Sequence, residues 1–120
     1  MKAGKEHRVP LSDQALALLQ AQPRMVGTDL VFPSSKLAML SDMTLTAVMR
    51  RLKLEGVPHG WRSTFRDWAG ESTSYPREVV EQALAHAVGN KVELAYRRRD
   101  MLEKRRSLMQ DWSKFLTLTL

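Results

Sequence analysis

The sequence predicts an α-dominated α+β domain carrying a small β-hairpin or sheet, and three observations predict it. Apolar residues recur at helical spacing through most of the chain, most clearly at Leu45, Val48, Met49 and Leu52. Turn chemistry at Pro58-His59-Gly60 and Gly89-Asn90 cuts that pattern into separate helices. Only two short stretches, His7 to Leu11 and Leu30 to Phe32, read as extended. A length of 120 residues suits one compact unit with a real core and leaves no room for two.

Each element has a local cause. Pro10 biases Val9 away from the helical region, and Gly4 upstream suggests a hairpin turn in the segment Met1-Lys2-Ala3-Gly4. Ser12 is placed to cap a helix from Asp13 to about Ala21, with Leu16 and Leu19 facing inward. Leu30-Val31-Phe32 reads as a short strand ended by Pro33. Ser41 opens a helix that Gly56 stops, with Arg50, Arg51 and Lys53 opposite its apolar stripe. A helix follows from about Trp61 to Gly70, with Trp61, Phe65 and Trp68 as candidate core. Pro76 is suited to a first helical position, beginning a helix through Val79, Val80, Ala83 and Leu84 that Gly89-Asn90 breaks. A short helix from Val92 to about Arg98 precedes a last one near Leu102 to Phe115, with Leu108, Trp112 and Phe115 on one stripe. The tail Leu116 to Leu120 is apolar without a matching period.

Composition narrows the function. Nineteen Lys and Arg against thirteen Asp and Glu give a net charge of +6, which favours a polyanionic partner. The chain has no cysteine, so a disulfide scaffold and a thiolate zinc site are both excluded. No apolar run approaches the roughly 18 residues of a membrane span. The start, Met1-Lys2-Ala3-Gly4-Lys5-Glu6-His7-Arg8, has no apolar stretch behind its charges, so no signal peptide is expected and a cytoplasmic location is. Ligand spacings such as H-E-x-x-H, the phosphate-binding loop and the G-x-S-x-G elbow are all missing, which removes the usual handles for hydrolase and nucleotidase readings.

What remains is an ordered set of polar residues: His59-Gly60-Trp61-Arg62, then Leu84-Ala85-His86, then Ala95-Tyr96-Arg97-Arg98. This set resembles the C-terminal catalytic half of the tyrosine recombinases, the phage-integrase family. The stretches from His59 to Ala69 and from Tyr75 to His86 look most like integrases of prophages and genomic islands. The resemblance runs from the Lys2 segment to Trp112. It implies that residues 1–120 form part of a recombinase catalytic domain, with the family's fold truncated on its N-terminal side.

The resemblance implies a chemistry that suits these residue types. A tyrosine hydroxyl attacks a DNA phosphodiester and forms a phosphotyrosyl intermediate, so neither metal nor other cofactor is needed. Tyr96 takes the role of nucleophile, and neighbouring positive charge must help a hydroxyl of ordinary pKa about 10. Arg62 grips the non-bridging phosphate oxygens. His59 and His86 bond the same phosphate or help move the tyrosine proton. Lys2, with Lys5 as the competing candidate, protonates the departing 5′ oxygen.

The family's second arginine lies upstream of the hairpin and is not in these residues. Its loss is expected to cost about 10²–10³ in rate, so the 120 residues alone are expected to recombine DNA poorly. The implied partners are double-stranded attachment-site DNA, three further recombinase copies in a tetramer on that DNA, and an accessory DNA-bending protein.

Plainer readings exist for each residue. Tyr96 fits a packed aromatic, His59 a turn residue, His86 a cation at a helix end, and Arg62 a surface ion pair with Glu81 or Asp67. Tyr75 reads as helix-entry packing and His7 as exposed hairpin. Two rival functions compete: a non-catalytic DNA-binding remnant of an integrase, and a helix-turn-helix regulator built on the basic Met43 to Glu55 helix.

Overall fold

In a computed structural model, the structure describes residues 6–86 and 101–118, and they are helical wherever they are regular. In chain order the helices are α1 (Asp13–Gln20), α2 (Thr44–Arg51), α3 (Gly60–Ser72), α4 (Arg77–Ala83) and α5 (Leu102–Leu118). The expected helix from Val92 to Arg98 and the Met1 to Lys5 part of the hairpin lie outside the described residues.

Among the described residues there is no strand, which corrects the strand expected at Leu30 to Phe32. Leu30 to Phe32 runs as irregular chain and bend, and Val31 and Phe32 are each about half exposed. A strand is sustained by ladder bonds to a neighbour and by one buried face. This stretch has neither.

The core forms where α3, α4 and α5 meet. Phe65 and Ala69 from α3, Val79 and Val80 from α4, Leu84 after it and Leu108 of α5 make one buried cluster. Trp68, Trp112 and Phe115 extend it as an aromatic stack. The Phe65 and Trp112 rings meet edge to face at 5.3 Å, and Trp68 lies 5.0 Å from Trp112, a geometry aromatic quadrupoles favour. Trp61, expected in this core, is about half exposed. It lies four residues ahead of Phe65, at the end of α3 away from the stack.

Polar contacts tie the stretch before α1 and the turn between α3 and α4 to α5. Ser12 caps α1 as expected, its Oγ accepting from the Ala15 amide at 3.1 Å. The Asp13 amide donates to Oε1 of Gln110 at 3.3 Å, and buried Arg105 donates through Nη1 to the Arg8 carbonyl at 2.7 Å. These bonds tie the start of α1 and the chain before it to α5; α1 buries none of its own residues, and Leu16 stays exposed where an inward face was expected. Tyr75, between α3 and α4, packs on the core and donates its hydroxyl to Oδ2 of Asp111 at 2.6 Å. Burial first, and then the Asp111 carboxylate, push its pKa up to about 12.

Two helices end before their glycines. α2 opens at Thr44 rather than Ser41 and stops at Leu52, where Lys53 takes a left-handed φ of 56°. The Leu54 amide then bonds the Met49 carbonyl and the Lys53 amide the Arg50 carbonyl, the paired closure of a Schellman turn. Gly56 serves the loop beyond. α4 begins one residue after Pro76, which is its cap, and ends the same way. Ala85 has φ 60°, with His86 bonded back to the Glu81 carbonyl and Ala85 to that of Gln82. The expected break at Gly89-Asn90 therefore comes after the helix has already closed.

Candidate functional site

The Schellman turn at the end of α4 builds the site. Leu84 sinks into the core, Ala85 reverses the chain, and His86 is returned over the helix it has just left. The ring of His86 then meets Glu81, with Nδ1 2.5 Å from Oε2. On its other side Nε2 lies 3.1 Å from Nη2 of Arg62, which comes from the first turn of α3. The same Nη2 donates to the Leu84 carbonyl, left unpaired by the helix end. One terminal nitrogen with two N–H groups thus serves both acceptors.

These contacts assign the ring's hydrogen. Arginine has donors only, so Nε2 of His86 accepts, which leaves the ring hydrogen on Nδ1, pointing at the carboxylate. Glu81 is itself buried, and its Oε1 faces Nη2 of Arg66 at 2.8 Å and Nε of Arg77 at 3.8 Å. The His86 hydrogen bond is the main cause holding its carboxyl below the ordinary value; Arg66 and Arg77 assist and burial opposes.

Of the residues expected at the site, Arg62 and His86 are joined directly across 24 positions of sequence. His59 sits at the start of α3, exposed, with its carbonyl accepting the Arg62 amide at 3.2 Å and no capping bond from its side chain. Tyr96, Lys2 and Lys5 lie outside the described residues. The ion pair considered between Arg62 and Glu81 or Asp67 is not what forms. Glu81 pairs with Arg66, and Arg62 turns to the histidine and the helix end. Glu81 is the residue whose part sequence reasoning understated. Its signal was its place five residues ahead of His86, which a left-handed turn at Ala85 brings into contact.

Comparison with known proteins finds phage and prophage integrases. The chain is 41% identical over 118 residues to the prophage integrase IntA of Escherichia coli K12, covering 94% of this chain and 28% of that protein. It is 34% identical over 126 residues to the integrase of Enterobacteria phage P4, covering 98% and 29%. Prophage integrase IntZ of Escherichia coli K12 is 36% identical over 119 residues, covering 94% and 29%. No family model and no solved structure matches the chain. The chain belongs to the phage-integrase family. It spans less than a third of the length of the relatives it matches.

Proposed function

We propose that residues 1–120 are part of the catalytic domain of a tyrosine-type site-specific recombinase that integrates and excises prophage or island DNA. The observation that carries this reading is the Arg62–His86 contact at the closed end of α4, anchored by Glu81. It puts a permanent cation beside an imidazole acceptor, the pairing that phosphoryl transfer needs for charge and for a proton.

The reaction runs as follows. Tyr96 Oη bonds to phosphorus and the bond from phosphorus to the 5′ oxygen breaks. The tyrosine proton passes to an imidazole nitrogen, of His59 or, once Arg62 turns from it to the phosphate, Nε2 of His86, and the leaving oxygen takes one from Lys2. Arg62 holds the non-bridging oxygens, where a planar guanidinium offers charge and paired donors. The 3′-phosphotyrosyl ester conserves the bond energy, so a 5′-hydroxyl of the new partner strand reverses the sequence and no cofactor is invoked. Of the two tyrosines in the chain, Tyr75 is committed to Asp111 and its ionisation is pushed up to about 12, which favours Tyr96 as nucleophile. Attachment-site DNA is the partner, bound by four recombinase copies with a bending protein, in the cytoplasm.

Of the rivals, the helix-turn-helix regulator has least support: residues 52–59 separate α2 from α3, longer than the three-to-four-residue turn of that motif. The reading is tested by trapping on nicked suicide DNA bearing the cognate half-site, with the remainder of a matching integrase supplied in trans. An adduct that survives Tyr75→Phe and vanishes in Tyr96→Phe is expected. DNA binding without any adduct would leave the non-catalytic remnant standing.

A further inference from the structure

Glu81 stands behind the pair described above, and the geometry defines what it does there. It is the residue on α4 whose side chain reaches the far nitrogen of His86, at 2.5 Å. It is 7% exposed, while the two arginines that share its other oxygen carry side chains 49% and 84% exposed. A buried carboxylate bonded to one ring nitrogen sets which nitrogen carries the hydrogen and fixes the ring plane, as carboxylate partners do for histidines elsewhere. Free imidazole side chains favour the opposite form, with the hydrogen on Nε2. In that form Nε2 would face Nη2 of Arg62 donor to donor, and the 3.1 Å contact would be lost.

We infer that Glu81 is a positioning residue: through the hydrogen on Nδ1 it keeps Nε2 of His86 an acceptor, and so holds His86 and Arg62 in register. This inference rests on the recombinase reading for its catalytic consequence, though not for the ring form itself. Arg66 and Arg77 have a supporting part, keeping the carboxylate ionised and turned so that Oε2 faces the ring. The Schellman turn supplies the backbone half of the device, because without the left-handed Ala85 the chain would carry His86 away from Glu81. Side chain and turn thus act on the same ring from two directions.

Nitrogen-15 NMR of the 120-residue chain reads the ring form directly. Wild type is expected to show a protonated-type Nδ1 and an acceptor-type Nε2 at His86. Glu81→Ala removes the acceptor and is expected to move the ring towards the Nε2–H form. Glu81→Gln keeps an oxygen that accepts from Nδ1 and is expected to preserve the wild-type signature. A wild-type ring protonated on Nε2 alone would overturn the inference, whether or not any variant folds. So would an unchanged ring in a folded Glu81→Ala.

The catalytic consequence is read with the same trapping assay. Glu81→Ala is expected to slow adduct formation about 10- to 100-fold, by analogy with removing the carboxylate partners of metal-binding histidines, and Glu81→Gln to lose less. Glu81→Ala combined with His86→Ala is expected to be no slower than His86→Ala alone, since one residue acts through the other. Additive losses would contradict that route. If no variant forms an adduct while the ring still depends on Glu81, the recombinase reading fails and the positioning role stands.

Discussion

The two halves of the described chain both contain amphipathic helices and treat them differently. In α3, α4 and α5 the apolar stripes close on one another, leaving Ala69, Val79 and Leu108 at 1% exposure or less. Between Pro23 and Val57 the apolar residues are largely uncovered: Val26 is 97% exposed, Met39 79% and Leu52 63%. α2 has the more regular stripe and buries only Met49. Periodicity states which face of a helix asks for cover, and the aromatic stack of α3 and α5 is what supplies it in one half. The Arg62–His86 pair stands on the covered half, one residue in α3 and the other just after α4, where packed helices can hold a site in place.

That contrast can be broken or sharpened by substitution. The largest effect is expected at Leu108, where Leu108→Ala opens a cavity at the centre of the core and should cost about 2–5 kcal/mol by urea denaturation. A loss under about 1 kcal/mol would mean that the core is not where stability resides. Next comes Tyr75→Phe, which removes a hydrogen bond to a charged acceptor and should cost about 1–2 kcal/mol. It also carries a pH signature. The folded pKa of Tyr75 lies above its ordinary value of 10, so the protonated hydroxyl's contribution is complete below pH 10 and is lost as pH rises towards 12. Stability measured across that window should fall more steeply in wild type than in Tyr75→Phe.

Ala85→Gly should act in the opposite direction. A left-handed alanine costs about 1–2 kcal/mol, and glycine returns about 0.5–1 kcal/mol of that as chain entropy. A net gain of about 0.5–1 kcal/mol is expected, read as a raised Tm; a lowered one would contradict the turn at the end of α4. The smallest effect belongs to the uncovered half. Leu52→Ala should change stability by less than about 0.5 kcal/mol, as surface substitutions do. A core-sized loss there would erase the difference between the halves.

The same contrast explains how much could be read beforehand. The serine cap of α1, the apolar face of α4 and the Leu108–Trp112–Phe115 stripe were legible because each rests on contacts a few residues apart. Helix ends were misplaced for one shared reason. Gly56 and Gly89 are the conventional stops, yet Lys53 and Ala85 take the left-handed turn, at a cost that surrounding contacts offset. Trp61 and the Leu30 to Phe32 stretch depart from the sequence expectation because hydrophobicity alone does not name a partner surface. At the site, the residue types and spacings of Arg62 and His86 were visible in the sequence. The anchoring carboxylate was not, because its contact with His86 exists only after Ala85 reverses the chain.

The central claim is that this chain carries the nucleophile of a DNA-joining reaction and that Tyr96 is that residue. The measurement that tests it most directly is peptide mapping, by mass spectrometry, of any covalent adduct formed on nicked half-site DNA with the rest of the integrase supplied. A single nucleotide-bearing peptide containing Tyr96 is expected. Linkage at Tyr75, at a serine, or at no residue of these 120 would contradict it.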